Sequence, residues 1–348
     1  MHRDRACRNR EGPRLGTFST RSQQSGVHGG REGDRPDVRP TAVSFEERRS
    51  RVLSNSALPC LRDVATVNVT RGCAHGCLYC YTRGYSNYPG EGRVVVYSNL
   101  AEKIDSELAG KRKPVWRVYF SPSCDPFQPL EASLDVTYEV MHLLLARGIS
   151  VAFLTKGEIP ERFLKLFAPR PDLVHAQIGI TTLSARVSTT VEPNAATPES
   201  RVRNIERLVQ SRVRTMARLD PLIPFLTDTD EGLSALLDRV ARAGAKAIAL
   251  NYLFLRAALR GKLLSALRKG MDSTAELRDL FSRGVNLAIF GERHRILALP
   301  TDYRRTNYGR ITRLAESHGL RTHLCGCKNP DLTSERCRIA GPPQRELF

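Results

Sequence analysis

From residue 65 onward, short apolar runs rich in β-branched and aromatic residues alternate with segments whose apolar positions recur at helical spacing. That alternation predicts successive βα units around a parallel sheet. Six strands are predicted, at Ala65 to Thr70, Val115 to Ser121, Ser150 to Thr155, Val174 to Thr182, Arg214 to Leu222 and Lys246 to Leu255. Helices are predicted near Asn99 to Leu108, Leu134 to Arg147, Pro160 to Phe167, Glu199 to Gln210, Glu231 to Arg242 and Gly261 to Arg268. Each strand is bounded by Gly, Pro or polar residues, and each helix is long enough to cross one face of the sheet. The expected fold is α/β, a partial (βα)6 barrel of TIM type over residues 60–269. In such barrels the chemistry sits on loops leaving the C-terminal ends of the strands.

After residue 270 the pattern changes to a charged helical stretch at Ser273 to Arg283, an apolar strand at Val285 to Phe290 and a helix near Tyr308 to His318. Residues 270–348 are expected to form a smaller C-terminal region packed against the barrel. At the other end, residues 1–44 carry few aliphatic side chains and nine Arg before residue 40. They cannot bury enough apolar surface to offset the entropy of ordering, so a disordered basic arm is expected there. Nothing in it assigns a function.

Composition narrows the class. The chain has 348 residues, 41% of them hydrophobic, enough for one or two sizeable cores. No stretch reaches the roughly 18 to 20 uninterrupted apolar residues that span a bilayer, and no export signal is apparent, so a cytoplasmic protein without a membrane partner is expected. The net charge of +18 would draw a polyanion, with an attraction that salt weakens. It also fits plain composition bias, because most of the basic residues are Arg spread over many helices. No nucleic-acid-binding module stands out, so nucleic acid is one open partner class.

Nine Cys are too few for a disulfide scaffold, and six fall into two groups. The first, Cys73, Cys77 and Cys80, follows the first predicted strand in Thr70-Arg71-Gly72-Cys73-Ala74-His75-Gly76-Cys77-Leu78-Tyr79-Cys80-Tyr81. Thiolates at this spacing can converge from one loop onto a soft metal centre, with Gly72 and Gly76 letting the backbone fold around it. Zinc is an alternative, with His75 as the obvious fourth ligand, although structural zinc sites usually show paired C-x2-C spacings.

The C-x3-C-x2-C arrangement, with an aromatic before the last Cys and on the loop after strand one, resembles the radical S-adenosylmethionine superfamily. The resemblance implies that Cys73, Cys77 and Cys80 hold a 4Fe-4S cluster. Its free iron would bind S-adenosylmethionine, and a reductant such as ferredoxin or flavodoxin would supply the electron that gives a 5′-deoxyadenosyl radical. Tyr79 would lie by the adenine. Further stretches are similar to the spore photoproduct lyase-like branch: Ser121-Pro122-Ser123-Cys124-Asp125-Pro126-Phe127-Gln128-Pro129-Leu130-Glu131, Leu154-Thr155-Lys156, Gly179-Ile180-Thr181-Thr182-Leu183, Val191-Glu192-Pro193, Pro198-Glu199-Ser200-Arg201, and Asp220-Pro221-Leu222-Ile223-Pro224 with Asp228 behind it. They run in the same order as in that branch.

Under that resemblance Lys156 pairs with the carboxylate of S-adenosylmethionine, and Thr181 hydrogen-bonds its amino-acid or ribose portion. Glu192 and Arg201 hold its remaining polar groups or form a supporting ion pair. Two departures stand out. Gly179 replaces the usual Ser, removing a hydroxyl, and Cys124 stands where the branch has Thr before the Asp. In spore photoproduct lyases a cysteine near this strand end returns a hydrogen atom to the substrate radical. Cys124 is offset from it by two positions, and Tyr81 matches a tyrosine of the relay; packing roles for both stay open.

The second group, Cys325, Cys327 and Cys337, lies outside the predicted barrel and suggests a second metal or iron-sulfur site, with Cys60 or His323 able to complete it. A redox pair or free thiols are alternatives. Cys325 and Cys327 are too close in sequence for a relaxed disulfide between them. The expected function is that of a radical S-adenosylmethionine enzyme abstracting hydrogen from an unidentified substrate. A nucleic-acid-directed lyase competes with an enzyme modifying a protein or small molecule. The reading from another class is a zinc-stabilised basic nucleic-acid-binding protein without catalysis.

Overall fold

The computed structural model describes residues 41–56, 59–256, 260–267, 274–289, 294–335 and 338–341. Most of the expected N-terminal arm lies outside the described residues, as does Cys337. In chain order the elements are β1 (Ala42–Glu46), β2 (Ser54–Asn55), β3 (Ala65–Val67), β4 (Thr70–Arg71), β5 (Arg93–Tyr97), α1 (Leu100–Ala109), β6 (Arg117–Phe120), α2 (Glu131–Ala146), β7 (Ser150–Thr155), α3 (Glu161–Phe167), β8 (Val174–Gly179), α4 (Ala185–Val191) and α5 (Pro198–Gln210). They continue with β9 (Arg214–Leu222), α6 (Asp230–Arg242), β10 (Ala247–Tyr252), α7 (Arg260–Leu267), α8 (Thr274–Ser282), β11 (Val285–Ile289), β12 (His294–Ala298), α9 (Thr301–Ser317) and β13 (Arg321–Leu324).

The main sheet runs β13-β10-β9-β8-β7-β6-β3-β2. Its pairs are parallel except for β2 against β3. The six predicted strands are β3, β6, β7, β8, β9 and β10, so the expected α/β partial barrel is found. Every residue of β8 and of β10 is buried, as expected for parallel strands covered on both faces. The helices between strands present narrow apolar stripes to the sheet, such as Leu233, Leu236, Leu237 and Val240 on α6. Thr197 and Thr229 cap α5 and α6 by accepting from Ser200 N and Gly232 N.

Three features differ from the expectation. The first strand ends at Val67, and Thr70–Arg71 turns away into a small sheet of order β1-β5-β4. The partner β6 ends at Phe120, where Ser121 N donates to Val67 O at 2.6 Å, so the ladder has nowhere to continue. Strand β5, a run of three valines, was not anticipated, and residues 42–44 of the expected arm belong to β1. Finally, the chain beyond residue 270 divides. The β11-β12 hairpin forms its own two-stranded sheet, whereas β13 extends the barrel sheet beside β10. Its four residues, Arg-Thr-His-Leu, carry too little apolar pattern to be read as a strand; the exposed backbone edge of β10 recruits them.

Candidate active site

Cys73, Cys77 and Cys80 follow β4 on a loop that passes the C-terminal ends of the barrel strands. Gly72 and Gly76 adopt φ of +84° and +66°, the left-handed region that glycine enters without penalty. At Gly72 a side chain would also run into the backbone carbonyl of Arg93. Strand β5 therefore sets how closely the loop can pack.

Two sequence stretches clamp this loop. From the end of β6, Gln128 accepts from Ala74 N at 2.9 Å through Oε1 and donates through Nε2 to Thr70 Oγ1 at 2.8 Å. Asp125 accepts from Phe127 N (2.8 Å), Thr155 Oγ1 (2.6 Å) and Lys156 N (2.8 Å), tying the ends of β6 and β7 together. Its Oδ2 lies 3.3 Å from Nε2 of the buried His75. Burial alone would raise the Asp125 carboxyl; the neighbouring His75 and these donors outweigh it and hold the group below the usual carboxylate range. On the other side, Asn194 Nδ2 donates to Ala74 O at 2.9 Å, Asn194 N to His75 O at 3.1 Å, and Leu78 N to Val191 O at 3.0 Å. His75 Nδ1 lies 3.2 Å from Asn194 O. The His75 ring lines the same cavity as the three thiols, and its Nε2 faces Asp125 without making a hydrogen bond.

The three thiols line a cavity of about 900 Å3 together with Tyr79, Tyr81, Cys124, Lys156 and Asp220. Burial, and then the nearby Asp125 carboxylate, pushes the Cys73 thiol well up; burial and Glu192 push Cys77 up to about 12. Among the described residues no three His, Cys, Asp or Glu side chains are set to hold a single metal ion.

Lys156, Tyr79, Glu192 and Arg201 come together as one group. Lys156 Nζ lies 5.7 Å from the Tyr79 ring centre and 4.0 Å from Glu192 Oε1, and it donates to Asp220 O at 3.0 Å. The Tyr79 hydroxyl donates to Glu192 Oε1, and Arg201 Nη1 is paired with Glu192 Oε2. Arg201 also donates to Ala196 O at 2.8 Å and Gly179 O at 3.1 Å. Burial would raise the Glu192 carboxyl, but the Arg201 and Lys156 charges overcome it and lower the group. Glu192 and Arg201 are 2% and 1% exposed and lie behind the cavity wall, not on it. Thr181 is buried and likewise off the wall.

The departure at Gly179 has a steric reason. A Cβ there would lie 2.9 Å from Lys156 Cγ and 3.0 Å from its Nζ. The lysine occupies the volume a serine side chain would need. At Cys124, Sγ lies 3.8 Å from Asn68 Oδ1, and burial raises its thiol pKa. The Tyr81 hydroxyl donates to Pro122 O.

Sequence reasoning quoted Asp220 within a motif without giving it a role, and did not single out Arg218, Asn251, Arg256 or Lys328. Asp220 at the end of β9 accepts from Arg218 Nε at 2.9 Å, Lys328 Nζ at 2.6 Å and Asn251 Nδ2 at 3.2 Å. Burial would raise this carboxyl, but Lys328 and then Arg218 hold it far below the usual range. Arg256, after β10, lies 5.5 Å from the ring centres of both Tyr81 and Tyr85. Lys328 and Arg256 belong to no local motif, so only their tertiary placement exposes them.

Comparison with known proteins gives concordant relatives. The family model of the radical SAM superfamily matches residues 67–240. An uncharacterized protein of Mycobacterium tuberculosis is 31% identical over 261 residues, covering 70% of this chain and 75% of that protein. A radical SAM Nalpha-GlyT isomerase of Pseudomonas phage M6 is 23% identical, covering 71% of this chain and 52% of that protein. Among solved structures, a spore photoproduct lyase variant with bound AdoMet and dinucleoside spore photoproduct superposes with a TM-score of 0.64 at 13% identity. The match covers 81% of this chain and 82% of that one.

Proposed function

The chain belongs to the radical SAM superfamily, and from that premise we propose that it cleaves S-adenosylmethionine at a 4Fe-4S cluster held by Cys73, Cys77 and Cys80. One observation carries the reading: all three thiols open onto the same cavity wall as Tyr79 and the Lys156 ammonium. The donor set fits the group. Tetrahedral zinc with Zn–S bonds of about 2.3 Å needs thiolates about 3.8 Å apart, and these three are not gathered around a single ion. A cubane spans more widely spaced ligands. Burial makes bare thiolates costly at Cys73 and Cys77, and a cationic centre reverses that cost. When bound, the cluster supplies the electron that splits the sulfonium, with the resulting 5′-deoxyadenosyl radical available for hydrogen abstraction.

This chain's residues bind, orient and shield. Lys156 offers its ammonium to the carboxylate of S-adenosylmethionine, and Tyr79 offers a ring face to the adenine. Glu192 and Arg201, off the wall, act as positioning residues by fixing the Tyr79 hydroxyl and the lysine head. Thr181, buried in the structure, is the residue that the resemblance assigns to the amino-acid or ribose portion of S-adenosylmethionine. Cys124 remains a protonated thiol because burial raises its pKa, and an S–H rather than a thiolate is what can return a hydrogen atom. Tyr81 stands on the same wall.

The substrate class this reading favours is nucleic acid, acted on by a lyase-like or modifying reaction. The support is the charge of +18, the Arg256 guanidinium beside Tyr81 and Tyr85 as a stacking surface for a base, and a fold shared with a protein that binds dinucleoside spore photoproduct.

Anaerobic incubation of the reduced protein with S-adenosylmethionine is expected to yield 5′-deoxyadenosine, with a Cys77→Ala control yielding none. Absence of that product from iron-replete protein would sink the cleavage reading. Binding to single- and double-stranded DNA, titrated against salt and followed by a repair assay on ultraviolet-irradiated DNA, tests the substrate. Indifference to DNA at low salt removes that class.

A further inference from the structure

The main sheet is open, and its two ends are β2 and β13. Cys60 lies in the turn Pro59–Leu61 between β2 and β3, while Cys325 and Cys327 directly follow β13. The two segments are more than 260 residues apart in the chain. In the fold they meet. Cys325, 1% exposed, packs with Leu61, Tyr119, Ala152, Ile339 and Ala340, and Cys60 and Cys327 pack against the same cluster. All three thiols also line the cavity that holds the triplet.

The turn that presents Cys325 and Cys327 is fixed by backbone contacts on both sides. Cys325 O accepts from Lys328 N (3.0 Å), Asn329 N (2.9 Å) and Asn329 Nδ2 (3.1 Å). Gly326 N donates to Glu335 O at 2.9 Å. A Cβ at residue 326 would lie 2.6 Å from Thr333 O and 2.7 Å from Glu335 O, so the returning chain packs directly on this glycine. Asn329 is buried and donates to Asn251 Oδ1 at 3.1 Å, anchoring the turn to β10. The remaining members of the cluster are aliphatic or aromatic, and packing alone would be served equally well by Ala or Val. The feature that sets these three positions apart is a soft donor atom at each.

We propose that Cys60, Cys325 and Cys327 hold a second metal centre through their thiolates, an iron-sulfur cluster rather than a single ion, because among the described residues no three such side chains are gathered around one ion. This centre clips the two ends of the open sheet together. The benefit follows from topology: a cross-link between residues so far apart removes more chain entropy from the unfolded state than a local one does. Metal binding releases the thiol protons and couples the site to folding. The inference does not depend on what the triplet binds.

The deciding protein carries Cys73→Ala, Cys77→Ala and Cys80→Ala, purified without oxygen. Metal and sulfide are measured as isolated, after reconstitution with ferrous iron and sulfide, and separately after addition of zinc. One iron-sulfur cluster per chain is expected to remain, and adding Cys60→Ser should remove it. The proposal is overturned if the triplet variant takes up no iron and sulfide, if it binds only zinc without sulfide, or if its cluster persists once Cys60, Cys325 and Cys327 are all serine. Should the triplet variant misfold, Cys60→Ser in the otherwise native protein serves instead: loss of one centre supports the site, and unchanged metal content refutes it. Wild-type protein that holds a cubane beside a metal-free triplet variant would refute only the second site. The reverse result would refute only the cleavage reading.

Discussion

The two thiol-bearing walls of the cavity are built in opposite ways. On one, Cys73, Cys77 and Cys80 come from eight consecutive residues, and the clamps around them, Asp125 to Gln128 and Val191 to Asn194, arrive from strand-end loops of the same barrel. On the other, Cys60 and the Cys325–Lys328 turn come from opposite ends of the described chain and meet because the sheet curls. A local site can be kept intact by one short segment with correct turns. The non-local wall exists only when the whole sheet is assembled, so its integrity reports on global folding.

The largest expected contrast is in activity. Changing Cys73, Cys77 or Cys80 to Ala should abolish formation of 5′-deoxyadenosine, measured by chromatography after anaerobic incubation. Detectable turnover in any of the three would break the assignment of the local wall.

Next comes stability. Arg201→Ala leaves Glu192 buried with Lys156 at 4.0 Å as its nearest remaining cation, and losing one partner of a buried pair costs about 3–5 kcal/mol. Urea denaturation should show that loss, and a cost below about 1 kcal/mol would mean the pair is not holding the wall. On the non-local wall, Gly326→Ala drives a methyl group against two backbone carbonyls and should cost about 1–3 kcal/mol. A neutral substitution would show that the Cys325–Lys328 turn is not pinned as described.

Gly179→Ser sharpens the local side. Its Cβ would displace Lys156, so the apparent affinity for S-adenosylmethionine should fall about tenfold, or about 1.4 kcal/mol, with the fold unchanged. Unaltered binding would argue that Lys156 does not face the ligand.

The smallest effect at neutral pH concerns His175 on β8, against which the chain at Gly341 packs. Burial, then the charges of Arg117 and Arg214, push this imidazole down to about 3. The unfolded chain takes up its proton near pH 6.5 and the folded one does not, so stability should fall as pH drops from about 6.5 towards 3. His175→Gln should flatten that part of the stability profile measured by thermal melts. An unchanged slope would place the acid sensitivity elsewhere.

Much of this molecule was legible in one dimension. Periodicity located the six barrel strands because most are short apolar runs bounded by Gly, Pro or polar residues, and β9 and β7 fall on their predicted bounds. The triplet was legible because its thiols, glycines and preceding strand are contiguous. The split of the first strand into β3 and β4 was not, since it depends on where β6 stops. Nor was β13, whose polar residues gain strand geometry from the edge of β10.

What the sequence determined alone is the chemistry available at each position and every arrangement that fits within a few residues, including the thiol spacing and the family it marks. Tertiary structure decided which distant groups share a cavity: Lys328 with Asp220, Arg256 with Tyr81, and Cys60 with Cys325. The reason is physical. Local geometry follows from backbone sterics and turn residues that are encoded in place, whereas long-range contacts depend on the curvature and strand order of a completed sheet, which no short segment specifies.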